Sequence, residues 1–431
     1  MKLKKLTHSS KKREEIYPPT FHKISKVHSD AKFFKGGVDI SRKGGRIYLD
    51  YSASSPMDHR VLEAMKPYFS QDFGNAGSLH SFGQRAQAGV DKAREIIADS
   101  LGAKFNEIIF TGSASEANNL AIRGNIRKSG FKKPRLIVSA IEHESVIETA
   151  MDLESQGVDV VYLGVNNEGF IDPQEVADNL NEETVMVSLI SASNVVGTVE
   201  PIKEIAEVVK RFRGNKNYPL LHTDAVQAFQ YLDCNVNHLG VDMMTISGQK
   251  IYGPKGIGVL YIRDLEKSGY KKVRPVITGG AQEYGLRAGT ENVPAIVGLG
   301  KAVELILKNK DKEAKRITSL RDYFWKKLKA GLPELQLNGS SLGVHRLPNN
   351  LNIYFPERGD LQELIIKMDL AGIAVSSGSA CSTKSSKDSY VVAALGHKEN
   401  RSRSSIRISL GRPVNKSQVD EALKKIIISF K

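Results

Sequence analysis

The sequence predicts an α/β protein: a large domain on a mostly parallel sheet, followed by a smaller α+β domain. The first observation is a run of strand-sized apolar or β-branched segments: RLIVSA at 135–140, VDVVYL at 158–163, VMVSLI at 185–190, PLLHTD at 219–224, MMTIS at 243–247 and GVLYI at 258–262. Helical patterns over 84–101, 115–128 and 201–212 separate several of them. Continuously apolar strands between helices imply a sheet covered on both faces. The second observation is a change of pattern after a long, charged helical stretch over 293–328. There the strands LNIYFP (351–356), IAVSSG (373–378) and SIRISL (405–410) lead to a final helix from Lys416.

Composition bounds the function. The 431 residues are 40% hydrophobic, enough for a large core. Apolar runs stay as short as Leu136-Ile137-Val138, far below the roughly twenty residues of a membrane-spanning helix. Two cysteines, Cys234 and Cys381, make no disulfide framework and no CxxC zinc pair, so a reducing cytoplasm is the expected compartment. Cys234, in YLDCNVNHLG, reads as a small buried thiol. No solenoid-length repeat is evident, and low complexity is confined to SSGSACSTKSSKDS, 376–389.

Charge is concentrated at the start. Of the net +14, residues 1–46 carry +9, from thirteen Lys/Arg against four acidic residues. With Pro18-Pro19, Gly36-Gly37 and no strong periodicity, residues 1–45 read as a poorly ordered basic extension. It could be a solvated tail, a stretch ahead of the true start, a contact for RNA or another acidic partner, or a transit peptide. Glu14-Glu15 and the prolines argue against the last, and the lack of an apolar h-region argues against export.

The segment SGQKIYGPKGIG (247–258) sets Lys250 between a strand and a glycine-rich turn. A strand end of an open α/β sheet is where ligands bind, and a lysine there can form a Schiff base. By itself the motif fits a surface lysine in a turn equally well. Pyridoxal phosphate (PLP) chemistry also asks for a carboxylate at the pyridine nitrogen and donors for a phosphate dianion. Asp224 ends PLLHTD twenty-six residues earlier. In FTGSASEANNLAIRG, the small residues Gly112-Ser113-Ala114-Ser115 open a helix, whose backbone N–H groups and Ser115 hydroxyl suit an anion. A serine cap with Glu116 behind it is common, so this signal alone decides nothing. Cys381 sits in a run too polar and small to pack, which suits an exposed, mobile thiol rather than a structural one.

These residues resemble a known family. YLDYSASSP, FTGSASEANNLAIRG, IEHESV, SNVVG, HTDAVQ, SGQKIYGPKGIG, GLRAGTENVPAIVGLG, SSGSAC and SSIRISLGR follow the order and spacing of cysteine desulfurases of the NifS/IscS type, over roughly 46–431. The resemblance implies a type I PLP-dependent transferase fold with a seven-stranded sheet. Residues 58–300 would form the large PLP-binding domain; residues 46–57 and 301–431 would form the small domain carrying the cysteine loop. It implies that Lys250 bonds the cofactor, that Asp224 pairs with its ring nitrogen and that His143 stacks on the ring and moves protons. Asn194 and Gln227 would touch the cofactor's phenolate oxygen or the substrate carboxylate. Ala114, Ser115, Ser247 and Gln249 would line the phosphate site, with Thr290 reaching in from the other subunit of a homodimer. Arg407 would clamp the substrate carboxylate, and Cys381 would accept sulfur from L-cysteine as a persulfide, leaving alanine.

The loop length, with Tyr390 and a helix following, resembles the NifS/IscS group rather than the SufS group. Such enzymes hand sulfur to an iron–sulfur scaffold or to a thiolation pathway, and Cys381 could act as a transient iron–sulfur ligand; no resident metal is expected. Rival readings on the same fold are an aminotransferase, a cysteine C–S lyase giving pyruvate and a selenocysteine lyase; a degenerate PLP-binding scaffold is the non-enzymatic one. Cys381 is the discriminator, since transamination needs no such thiol. One departure stands out: Gln249 occupies a position where the family usually has histidine. A glutamine amide still donates to phosphate but cannot become cationic, so weaker cofactor retention is expected with the reaction type unchanged.

Overall fold

Alternate residues of the central strands pack into two different apolar layers. Leu136 and Val138 join one layer while Ile137 joins the other, and Met243 and Met244 divide in the same way. Side chains on a strand point to opposite faces in turn, so a sheet covered on both sides needs the unbroken apolar runs seen in the sequence. The computed structural model describes residues 45–265, 273–356, 359–377, 389–397 and 401–430, all within one compact unit, Asp39–Lys431. Residues 1–44 of the basic extension read over 1–45, and Cys381, lie outside the described residues.

Twelve strands are described: β1 (Ile47–Tyr48), β2 (Ile108–Thr111), β3 (Arg135–Ser139), β4 (Asp159–Leu163), β5 (Thr184–Ile190), β6 (Leu220–Asp224), β7 (Met243–Ser247), β8 (Gly258–Ile262), β9 (Gln336–Asn338), β10 (Asn350–Tyr354), β11 (Ile373–Ala374) and β12 (Ser405–Ser409). Seven form one sheet in the order β2-β8-β7-β6-β5-β3-β4. Every pairing from β7 through β4 is parallel, and β8 alone runs against its neighbours β7 and β2. The α/β architecture with a mostly parallel sheet, expected from the sequence, is therefore the one observed. The carboxyl ends of β2, β3, β5, β6 and β7 consequently share one edge. β8 begins at that edge with Gly258, where a Cβ would come within 2.5 Å of the Ser113 carbonyl carbon; only glycine fits.

A second, antiparallel sheet has the order β12-β10-β9, and β1 pairs with β11. Their core draws Leu49 and Tyr51 together with Leu351, Ile353, Ile406 and Ile408. Cys234 is buried in the large core, as its sequence setting suggests, and burial pushes its thiol up to about 12. The helical stretch over 293–328 is not one helix but two, Val293–Leu307 and Lys310–Gly331. They part at Asn309, whose φ of −140° leaves the helical region. No described helix is long and apolar enough to cross a membrane.

Candidate active site

Local sequence sets each wall of a cavity of about 220 Å³ at the shared strand edge. β7 ends at Ser247 and tightens into a 3-10 turn, Gly248–Lys250. A Cβ at Gly248 would approach the Pro254 carbonyl oxygen to 2.7 Å, so the turn that aims Lys250 needs glycine. The Lys250 ammonium donates to the Ser52 and Ala53 carbonyls, at 2.8 and 2.5 Å. Gln227, in the loop after β6, donates to the same Ser52 carbonyl at 3.0 Å.

Asp224 closes β6 and is 4% exposed. The Val226 N–H donates to one of its carboxylate oxygens at 3.0 Å and the Asn118 amide to the other at 2.9 Å. Donors on both oxygens fix the plane of the carboxylate. His143 is the N-cap of the helix Glu144–Ser155, and its Nδ1 accepts the Ser145 N–H at 3.1 Å. Behind this floor, burial pushes the Glu142 carboxyl up to about 8, against the opposing help of the Ser139 hydroxyl and the Ile190 N–H. Burial lowers His222 to about 4; its ring is held between Ser188 and Thr245.

The helix Ala114–Ser129 points its N-terminus at the cavity. Its cap is Ser113, whose hydroxyl accepts the Glu116 N–H, so Ser115 falls in the first turn instead of at the cap. The N–H groups of Ala114 and Ser115, at the first two helical positions, have no intrahelical carbonyl to bond and suit an anion. Glu116 turns away, accepting from Gly112 N–H and pairing with Arg287.

The opposite wall comes from the small sheet. Arg407 in β12 is 1% exposed, pairs with Asp50 at 2.8 Å, and donates to the Asn194 carbonyl and the Ser376 hydroxyl, each at 2.9 Å. Ser376 also exchanges backbone hydrogen bonds with Arg407. On the far side of the cysteine segment, Tyr390 lines the cavity and donates to the Glu142 carbonyl at 2.5 Å. Both described roots of that segment are thus anchored at the cavity.

Of the residues expected from the sequence, Ala114, Ser115, His143, Asn194 and Asp224 line this cavity, as do Gln227, Ser247, Gln249, Lys250 and Arg407. Thr290 does not; it is exposed. Cys381 is outside the described residues. Sequence reasoning missed Ser52 and Ala53, which act through carbonyls, and Asn118 and Ser145, which hold Asp224 and His143. The quoted motifs contained all four, with no signal separating them from their neighbours.

The donor set fits pyridoxal phosphate. An amine, a fixed carboxylate, an imidazole and a helix N-terminus flanked by hydroxyls converge on one cavity, and the buried Ser52 hydroxyl there has no partner among the described residues.

Comparisons with known proteins give the family. The family profile described as "Aminotransferase class-V" matches residues 47–422. A protein named cysteine desulfurase IscS from Dictyoglomus turgidum is 41% identical over 384 residues, covering 88% of this chain and 94% of that one. A putative cysteine desulfurase IscS 1 from Bacillus subtilis is 42% identical, covering 88% of this chain and 97% of that one. Among solved structures, a NifS-like protein superposes with a TM-score of 0.81 at 33% identity, over 89% of this chain and 98% of that one. SspA in complex with cysteine superposes with a TM-score of 0.73 at 38% identity, over 84% and 98%. The chain belongs to the class-V aminotransferase family, whose members are PLP-dependent enzymes. Within it, the similarity to proteins named cysteine desulfurase IscS runs over most of the chain, and the resemblance drawn from the motifs is borne out.

Proposed function

We propose that the chain is a PLP-dependent cysteine desulfurase, converting L-cysteine to L-alanine with sulfur passed to Cys381 as a persulfide. The carrying observation is one cavity that joins the Lys250 amine, the Asp224 carboxylate and the Arg407 guanidinium, with the cysteine segment rooted at its rim. When bound, pyridoxal phosphate supplies an electron sink for the substrate Cα. Lys250 would hold it covalently, the Ala114 and Ser115 end of the helix with Ser247 and Gln249 would hold its phosphate, and Asp224 would hold a proton on its ring nitrogen.

Arg407 orients the substrate carboxylate as a planar fork, with Asn194 beside it. Lys250 and His143 take and return protons at the substrate carbon. Cys381, as thiolate, attacks the substrate sulfur: an S–S bond forms as the C–S bond breaks, alanine leaves and the persulfide stays on Cys381.

The same reading makes the enzyme a cytoplasmic homodimer in which Thr290 of the partner subunit completes the phosphate site. Its support is that Thr290 is exposed and that Phe69, Phe73 and Leu79 are large apolar side chains left exposed. The persulfide would pass to an iron–sulfur scaffold or a thiolation enzyme, and the basic arm over 1–45 remains a candidate contact for acidic partners.

The test is product analysis on PLP-reconstituted protein given L-cysteine, comparing wild type with Cys381→Ser. Alanine and a protein-bound persulfide, both lost in the variant, are expected. Pyruvate and ammonia, indifferent to the substitution, would overturn the reading in favour of a C–S lyase.

A further inference from the structure

We propose that Asn118 is a positioning residue that ties the Asp224 carboxylate to the His143 imidazole, so that the ring-nitrogen partner and the proton-moving group are set by one side chain. The proposal rests on the roles given above to Asp224 and His143. Asn118 lies one turn into the helix Ala114–Ser129 and is fully buried. Its amide nitrogen stands 2.9 Å from Asp224 Oδ2 and 2.9 Å from Ser145 Oγ. A carboxylate can only accept, so the amide must face it with its NH2 group, and two hydrogens meet two acceptors.

The Ser145 hydroxyl, having accepted from Asn118, turns its own hydrogen to His143 Nδ1 at 2.9 Å. The Ser145 backbone N–H reaches the same nitrogen at 3.1 Å. Nδ1 therefore accepts, and the ring proton sits on Nε2. His143 in this state meets a ligand as a proton donor through Nε2.

The arrangement carries a cost. Asn118 Oδ1 is buried without a partner among the described residues, and a leucine of similar size would remove that penalty. A buried amide with an orphaned oxygen is explained if its other end performs a task. Here it aims a carboxylate on one side and, through Ser145, an imidazole on the other.

Two readouts on the PLP-loaded protein test this. The visible absorption band of the bound cofactor reports the surroundings of its ring nitrogen. Long-range 1H–15N correlation on histidine-labelled protein, assigned with His143→Gln, reports the His143 tautomer. Asn118→Leu should move both: the Ser145 hydroxyl, released from Asn118, loses its fixed aim at Nδ1 and the His143 15N signals shift, while the Ser145 N–H keeps the proton on Nε2. It should also lower kcat by about 10- to 100-fold, the range seen when outer residues that orient a site are lost. KM for cysteine should stay within about twofold, because Asn118 does not line the Arg407 wall. Ser145→Ala should move the histidine signal alone. Asn118→Ala serves if the leucine variant fails to fold.

An unchanged cofactor band or unchanged His143 15N signals in the Asn118 variant overturn the proposal, even if kcat falls. Wild-type His143 found with its proton on Nδ1 overturns it as well. A failure of the desulfurase reading would appear separately, as wild-type protein that forms no alanine.

Discussion

The two sides of the cavity solve the problem of buried charge in opposite ways. Beneath the large sheet lie carboxyls: Asp224 at the cavity, with Glu142 and Glu200 behind it, all buried. The small sheet is built over guanidiniums, with Arg321, Arg346 and Arg407 among the largest fully buried side chains. A carboxyl without enough donors can escape its desolvation cost by keeping a proton, and burial pushes both Glu142 and Glu200 up to about 8. Arginine has no such escape at neutral pH, so the structure surrounds it with oxygen. Arg346 donates to the carbonyls of Val196, Asn338 and Ser340, and Arg321 to that of Leu347. Arg407 follows the same rule with Asp50, Asn194 and Ser376. The lesson is one of division: the carboxyl side suits the cationic ring nitrogen of a cofactor, and the guanidinium side suits the carboxylate of an amino acid.

Removing the charge from the carboxyl side at the cavity should have the largest effect. Asp224→Asn keeps the shape and should lower kcat by about 100- to 1000-fold, the scale of losing one preorganised electrostatic partner. Steady-state kinetics at saturating cysteine and PLP will show it; a KM effect alone would mean that Asp224 belongs with the substrate wall. Next comes the guanidinium side. Arg407→Lys keeps the charge but loses the planar fork, and about 2 kcal/mol of charge-assisted hydrogen bonding corresponds to a rise in KM of about 30-fold. A matching loss of PLP binding would blur the division.

The neutral carboxyls give a pH signature. Folded Glu142 and Glu200 hold a proton up to about 8, whereas the unfolded chain releases it near 4.5. Between those values the folded state binds more protons, so their contribution is full at the acid end and is lost as pH rises toward 8. His222 acts in reverse, losing stability as pH falls from 6.5 toward 4. The thermal midpoint should therefore fall by a few degrees from pH 6 to pH 9, and Glu200→Gln should flatten that slope. The smallest effect is at Gln249: Gln249→His should tighten PLP binding by about fivefold, worth about 1 kcal/mol, measured by fluorescence titration. No tightening would mean that the amide already serves the phosphate fully.

Much of this was legible in the sequence because side-chain identity carried it. The strand runs announced a doubly covered sheet, Lys250 and Asp224 stood out as charges at the ends of apolar strands, and Arg407 came only through the resemblance of SSIRISLGR to the family's motif. What escaped was chemistry without a side-chain signature. Ser52 and Ala53 serve Lys250 through carbonyls that any residue would supply. The cap of the helix Ala114–Ser129 fell on Ser113 because its hydroxyl, three residues before Glu116, meets that N–H, while Ser115 offered an equally plausible oxygen. The helix break at Asn309 was hidden inside a charged stretch whose periodicity continues on both sides.

The burial of Cys234 has a practical side for anyone following sulfur through this protein. The chain contains only two thiols, and this one is shielded and held up to about 12, so at neutral pH it offers almost no thiolate to an electrophile. A maleimide or iodoacetamide tag on the native fold will therefore spare Cys234, so any label taken up belongs to the chain's other thiol and no cysteine-free background is needed. The wild-type chain is its own single-site reporter.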